Sequence, residues 1–238
     1  MSTDTTPART LYELAAADPE RLFSPYCWRV RMALAHKGLQ ARTVPCRFTE
    51  KALIAFAGTD KVPVLVDGER TVFDSWTIAE YLEMTYPGPS LFGGAAAQAV
   101  TRLIARWVES ELQARMLRMI VFDIFCHIDP RDQDYFRRSR ETRLGTRLEE
   151  LHAARDERRP AFRDALEPLR RMLVDQPFVA GHEPRYADYV VFGAFQWARV
   201  ISDYPLLASD DPVLVWRERL LDAFDGLARR MPACGQDD

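Results

Sequence analysis

Ser24 and Cys27 are the two side chains whose setting in this sequence invites chemistry. The stretch Phe23-Ser24-Pro25-Tyr26-Cys27-Trp28-Arg29 follows the short apolar run Leu11-Tyr12-Glu13-Leu14 and opens a segment with helical spacing. Tyr26, Val30, Ala33, Leu34 and Lys37 fall on one face of it, and Gly38 is placed to end it. Ser24 suits the N-cap, and Pro25 suits the first helical position, where a missing N–H costs nothing. A hydroxyl there stands beside free backbone N–H groups at the positive end of the helix dipole. Such a place stabilises an anion, including a thiolate carried by a ligand. Taken alone, Ser24-Pro25 is only a helix start.

The elements that must position this stretch follow from the pattern around it. Thr10–Leu14 reads as a first strand, Pro25–Lys37 as a first helix, and Arg42–Pro45 as a second strand ended by proline. Thr49–Phe56 reads as a weak helix. Val62–Val66 and Thr71–Phe73 flank Asp67-Gly68 and predict a hairpin. Asp74-Ser75 caps a further helix whose Ile78, Tyr81, Leu82 and Thr85 share a face. Prolines and glycines from Tyr86 to Gly94 break the pattern and predict a linker.

Everything beyond is expected to be helical. Val100, Leu103, Ile104, Trp107, Val108, Leu112 and Arg115 trace a long helix with an apolar stripe. Leu144, Leu148 and Leu151 predict another, stopped by Pro160. Phe162, Leu166, Leu169 and Leu173 predict a third, kinked at Pro168. Ala187–Ile201 reads as a buried helix and Trp216–Leu227 as the last.

The totals bound the function classes. A chain of 238 residues, 47% hydrophobic and 28% charged, can bury a core without disulfide or metal staples. A formal charge of −3 gives no electrostatic case for nucleic acid or an anionic membrane. No apolar run approaches the roughly 20 residues of a membrane span, and Met1–Arg9 lacks the apolar region of a signal peptide. Cys27, Cys46, Cys126 and Cys234 form no CxxC pair, so a disulfide framework or zinc ribbon is not expected and a cytoplasmic location is. His36, His127, His152 and His182 show no metal-ligand spacing. The arginine-rich run 137–147 reads as a solvated helix face, because Glu141, Glu149 and Glu150 lie within helical reach. Met116, Met119, Phe122 and Phe125 form an apolar concentration that is core in part and candidate pocket in part.

Ser24-Pro25-Tyr26-Cys27, Val62-Pro63, Asp74-Ser75 with Ile78-Ala79-Glu80-Tyr81-Leu82, and a helical domain after a linker together resemble a glutathione transferase. The resemblance covers nearly the whole chain from Thr10 onward. Ser-Pro-Tyr-Cys is similar to the Cys-Pro-Tyr-Cys of glutaredoxins with serine in place of the first cysteine. Phe-Ser-Pro-Tyr-x-Trp-Arg and Asp-Ser-Trp-x-Ile-Ala-Glu-Tyr-Leu look most like the bacterial β-aryl-etherase branch and its fungal etherase-like relatives. The implied architecture is an α/β thioredoxin-like N-terminal domain (10–86), a linker (87–97) and an all-α C-terminal domain (98–231).

The resemblance also implies roles. Glutathione is the co-substrate and no metal is involved. Ser24 is the group that stabilises the glutathione thiolate. Val62 precedes a proline, Pro63, that in this family is cis, and pairs its backbone with the cysteinyl part of the tripeptide. Asp74 and Ser75 meet the γ-glutamyl end, and Lys61 is a candidate for the glycyl carboxylate. The expected reaction is attack on a hydrophobic, aromatic electrophile, with an aryl ether as leaving group if the etherase likeness holds. Tyr26, Trp28, Met119 and Phe122 are the expected pocket residues, and a homodimer is the expected assembly.

Two departures bear on this. The family's buried helix begins with Ser or Thr three residues before its Asp, and here Arg185 stands three before Asp188, so Asp188 is expected to cap by accepting from backbone N–H groups. Redox relatives carry cysteine where Ser24 stands, which weakens a dithiol reading. A non-catalytic carrier of glutathione or hydrophobic ligands, and a glutathione-dependent thiol reductase using Cys27, remain open alternatives at this level.

Overall fold

The computed structural model describes residues 9–235. A four-stranded sheet comes first. Strands β1 (Arg9–Leu14), β2 (Arg42–Cys46), β3 (Val64–Asp67) and β4 (Arg70–Phe73) lie in the order β2-β1-β3-β4. β1 pairs with β2 in parallel, and with β3 antiparallel, so the hairpin β3–β4 adds to the open side of a crossover unit. The crossover is α1 (Pro25–His36), and α2 (Ser75–Thr85) follows the hairpin. Gly38, at φ 67°, ends α1 as expected, because only a residue without Cβ adopts that conformation at little cost. In place of the weak helix expected over 49–56 there is a 3₁₀ segment over Lys51–Ala57.

The second half is entirely helical among the described residues. Helices α3 (Ala95–Trp107) and α4 (Ala114–His127) are joined without a break by a π-helical stretch, Val108–Gln113. α5 (Pro130–Leu144), α6 (Leu148–Ala153), α7 (Arg155–Asp164), α8 (Glu167–Asp175), α9 (Tyr186–Ile201) and α10 (Pro212–Gly226) follow. This is the α/β-then-all-α order expected from the sequence.

Three helix readings change. Leu144 and Leu148 do not share a helix, because Gly145 at φ 71° closes α5 between them. Pro160 lies inside α7 rather than stopping a helix, and Pro168 sits in the first turn of α8, where it starts a helix instead of kinking one. α3 begins at Ala95, inside the segment 87–97 read as linker, since three successive alanines favour helix directly after Gly94. The apolar stripe also splits. Val108 and Leu112 are buried, but Val100 and Leu103 are 58% and 70% exposed, and Thr101 and Ala105 take the inward positions.

The two halves are welded by α9, of which almost every residue is buried. It packs along α1, and the contact is closest at Gly193. A Cβ at that position would lie 2.4 Å from the carbonyl oxygen of Pro25, the first residue of α1. The start of α9 is held by Asp188, which accepts from the N–H groups of Val179 (2.7 Å), Ala180 (3.1 Å) and Arg185 (3.1 Å) and from the indole of Trp216 (2.9 Å). The missing Ser or Thr cap is thus replaced by a buried carboxylate with four donors. The linker is tied down by Glu83, which takes the Lys37 ammonium (2.7 Å), the Ser90 hydroxyl and the Leu91 N–H (2.9 Å). Burial alone would push that carboxyl up, but these donors outweigh it and hold it at about 2.

Gly193→Ala is therefore expected to destabilise the protein by about 1–3 kcal/mol, the usual cost of overpacking, and to shift the first turn of α1. Denaturant unfolding reads the first effect and glutathione affinity the second; wild-type values for both would show that the α1–α9 contact is soft.

Candidate functional site

A cleft of about 770 Å³ runs between the sheet domain and the helices α3 to α5. Ser24 stands in its floor, 4% exposed, at the N-cap of α1. Its Oγ accepts from the N–H of Cys27 at 3.3 Å, so what the hydroxyl has to offer a ligand is its proton. Pro25 has no N–H, and the N–H of Trp28 is taken by the Ser24 carbonyl at 3.1 Å. That leaves the Tyr26 N–H without an acceptor in the first turn, beside the hydroxyl and at the positive end of α1.

Cys27 is turned the other way. It is 1% exposed, and its thiol is pushed up to about 12 by burial and by the nearby Glu13 carboxylate. Glu13 lies under α1 at full burial, its two carboxylate oxygens sharing the Arg31 Nε–H at 2.8 and 2.9 Å and one of them accepting from the Thr43 hydroxyl at 3.1 Å. Two residues one turn apart thus have opposite environments.

The structure gathers the other expected glutathione-site residues on the same wall. Val62-Pro63 is a cis peptide, and Lys61, Val62, Pro63, Asp74 and Ser75 all line the cleft. Lys61 makes no ion pair among the described residues. Asp74 adopts φ 70°, a conformation that costs about 1–3 kcal/mol for a side-chain-bearing residue. It is kept there by its own cap, Oδ1 accepting from the N–H groups of Trp76 (3.1 Å) and Thr77 (3.0 Å). The backbone of Ser75 is fixed from across the domain boundary by the Tyr186 hydroxyl, which donates to its carbonyl at 2.7 Å.

The opposite wall departs from expectation. Tyr26 lines the cleft with its ring beneath the Arg29 guanidinium, 4.5 Å from the ring centre. Trp28, Met119 and Phe122 do not line it. Trp28 is buried against the sheet with its indole donating to the Leu22 carbonyl at 2.9 Å. The cleft face of α4 is Ala114, Leu117 and Ile124. Met119 and Phe122, two and five residues past Leu117, point elsewhere: Met119 into the core, Phe122 onto Phe125 and His152. The apolar surface comes instead from Phe48, Leu117, Ile124, Phe136 and Trp197.

The sequence reading also missed polar residues of this wall. Glu109 and Gln113 reach it from the π-helical stretch, where an added residue resets the phase of the helix. Glu109 is shared by Arg29 (3.2 Å) and Arg106 (2.8 Å). Arg140 and Arg143 project into the cleft from α5, the run read as a solvated face. That reading holds for Arg137, which pairs with Glu141 (3.0 Å) and Glu149 (2.8 Å). The inward phase is marked by Phe136, 1% exposed, and Arg140 and Arg143 follow it at helical spacing. The loop carrying Phe48 is clamped to α5 by Asp132, which accepts from the N–H groups of Phe48 (2.8 Å) and Thr49 (3.0 Å) and from the Thr49 hydroxyl (2.5 Å). Among the described residues no cluster of three or more His, Cys, Asp or Glu is arranged to hold a metal.

Comparison with known proteins agrees with this geometry. Residues 19–90 match the family described as the glutathione S-transferase N-terminal domain, and residues 99–205 match its C-terminal domain. A glutathione S-transferase-like protein, ustS, of Aspergillus flavus is 28% identical over 140 residues, which span 53% of this chain and half the length of that relative. The structure is similar to glutathione transferase GSTFuA3 from Phanerochaete chrysosporium (TM-score 0.80, 22% identity, 92% of this chain and 96% of that one). It is similar also to a glutathione S-transferase of Ceriporiopsis subvermispora solved in complex with glutathione (TM-score 0.79, 21% identity, 96% and 99%).

The thiol environments give a direct test. In the native protein at pH 8, a thiol reagent is expected to label the exposed Cys126 and to leave Cys27 untouched until the chain is unfolded. Peptide mapping after labelling measures this, and native labelling of Cys27 would contradict its assigned burial.

Proposed function

Because the chain belongs to the glutathione S-transferase family, we propose that it transfers glutathione to a hydrophobic aromatic electrophile, using Ser24 to stabilise the thiolate. The observation that carries this reading is the position of Ser24: a hydroxyl with its proton to give, next to an unpaired N–H, on the floor of a cleft with one polar and one largely apolar wall. On the polar wall, Ser75, through its hydroxyl and its own N–H, takes the γ-glutamyl carboxylate, and the free oxygen of Asp74 balances its ammonium. The backbone of Val62 pairs with the cysteinyl unit and Lys61 faces the glycyl end. This places the glutathione sulfur over the N-terminus of α1.

In the reaction the Ser24 O–H and the Tyr26 N–H donate to the sulfur, which lowers its pKa and raises the thiolate fraction near neutral pH. The thiolate attacks the electrophilic carbon, the C–S bond forms, and the leaving group departs with its electron pair. For an aryl ether the leaving group is an aryloxide, and the sequence likeness to etherases makes that a substrate to try. Holding both reactants in one cleft supplies the rest of the acceleration. Cys27 is a poor candidate for thiol exchange, because its thiol stays protonated at physiological pH.

Ser24→Ala is expected to raise the pKa of bound glutathione and to lower turnover by about tenfold or more, while Cys27→Ser leaves turnover near the parent value. The thiolate absorbance of bound glutathione against pH, with steady-state rates, measures both. A Ser24→Ala protein that titrates like the parent, beside an inactive Cys27→Ser, would move the chemistry to Cys27.

We further propose a two-fold homodimer. Phe73, Met84, Val100 and Leu103 are 43%, 81%, 58% and 70% exposed, which leaves apolar side chains of β4, α2 and α3 open to a second copy of the chain. Sedimentation is expected to give about twice the 27.3 kDa chain mass, and Leu103→Glu to weaken the association. A parent protein that sediments as a monomer at micromolar concentration rules this out.

A further inference from the structure

The cleft carries positive charge that no protein group answers. Six basic side chains line it against four acidic ones, in a chain whose formal charge is −3. Three of the six are paired: Arg47 with Glu50 (3.3 Å) and Asp129 (3.0 Å), Lys51 with Asp60 (3.0 Å), and Arg106 with Glu109 (2.8 Å). Lys61 stands on the glutathione wall. Arg140 and Arg143 stand on the other, and neither makes an ion pair among the described residues.

Arg140 is half-buried and Arg143 is exposed, and both line the cleft. They sit three residues apart on the inward phase of α5 and repel each other. Arg140 lies over the rings of Phe136 (4.6 Å) and Phe48 (5.3 Å), the aromatic surface of the electrophile wall. Its one polar side-chain partner is the neutral Ser139 hydroxyl, at 2.9 Å. Burial lowers its pKa, the mark of a charge taken partly out of water without a counter-ion. Arg143 lies near enough to the Tyr26 phenol for its charge to be felt there. The Gln113 side-chain Nε2 is buried on the same wall with no hydrogen-bond partner among the described residues. The wall therefore offers flat apolar surface, two unanswered guanidinium groups and a spare amide donor.

We infer that the electrophile this cleft takes is anionic: an aromatic compound bearing a carboxylate or another acidic oxygen group, seated beside Phe48 with its charge on Arg140 and Arg143. The inference rests on the transferase reading of the cleft and narrows its substrate class. Guanidinium groups pair with planar carboxylates through two parallel N–H donors, and Arg140 offers them from a partly dehydrated position that strengthens the pairing. Glutathione brings two carboxylates of its own, and these are met on the wall that holds Lys61 and Ser75.

The test compares two aryl chlorides activated by nitro groups, chlorodinitrobenzene and the corresponding chlorodinitrobenzoate. With each, the glutathione thiolate forms a C–S bond, chloride leaves with the C–Cl pair, and the thiol proton passes to solvent. The parent is expected to favour the benzoate in kcat/KM. The ratio of the two is expected to fall about tenfold or more in Arg140→Gln/Arg143→Gln and to be largely kept in Arg140→Lys/Arg143→Lys. A ratio that does not change in the Gln variant overturns the inference. So does a fall in glutathione affinity with the ratio intact, which would give the arginines to the tripeptide.

A second arm needs no turnover. Fluorescence titration with anilinonaphthalene sulfonate and with the uncharged phenylnaphthylamine is expected to show the sulfonate binding weakened in the Gln variant relative to the uncharged dye. Equal effects on the two dyes overturn the inference. If neither aryl chloride turns over but the dyes still discriminate, the transferase reading fails and the anion site stands.

Discussion

The close approach of α9 to the first turn of α1 is the contact on which the site depends. Gly193 lets a fully buried helix of one domain lie against the Pro25 carbonyl of the other. A residue with a Cβ there would force the two helices apart by a distance that matters, since the cap of α1 is where the chemistry is placed. The same helix fixes the start of α2 through Tyr186 and Ser75. Its own start is fixed by Asp188, whose burial pushes its carboxyl up while four donors work the other way. A single helix thus sets the relative position of both helix N-termini that face the cleft.

The two walls are built on different principles. The glutathione wall is made of caps, a cis peptide and strand-edge backbone, whose shape is set by local sequence. The electrophile wall is made of side chains carried by long helices, and their direction depends on helical phase. The π-helical stretch shifts that phase in the middle of the α3–α4 rod, turning Glu109 and Gln113 to the cleft and Val108 and Leu112 to the core. Glu109 then joins Arg29 of α1 to Arg106 of α3, so the shift also ties the rod to the active-site helix.

This difference accounts for what could be read in advance. Asp67-Gly68, Ser24-Pro25 and Asp74-Ser75 each act within a few residues, and the hairpin and both helix starts lie where the sequence puts them. Met119 and Phe122 have the apolar character a pocket needs, but periodicity does not carry across the π stretch that precedes them, and Trp28 turns into the core beside Cys27. The exposed Val100 and Leu103 belong to the same class: an apolar stripe says that a face wants a partner, not which partner. For α5 the legible signal was Phe136, an apolar residue within an otherwise charged helix, which identifies the inward phase and with it Arg140 and Arg143.

The division of labour between Ser24 and Cys27 follows from charge. Glu13 is buried beneath α1, and its carboxylate is held by Arg31 and Thr43. An anion at Cys27 would sit near that carboxylate without solvent to screen it, and its thiol is accordingly held near 12. An anion on the far side of the same turn meets the Ser24 hydroxyl, the Tyr26 N–H and the helix dipole, with Glu13 on the other side of the helix. In the proposed reaction the protein's own sulfur is thereby kept inert while the first turn activates a sulfur that arrives with the ligand. A serine that cannot form a disulfide is then the fitting residue at the cap, because the site needs a proton donor there and gains nothing from a second thiol.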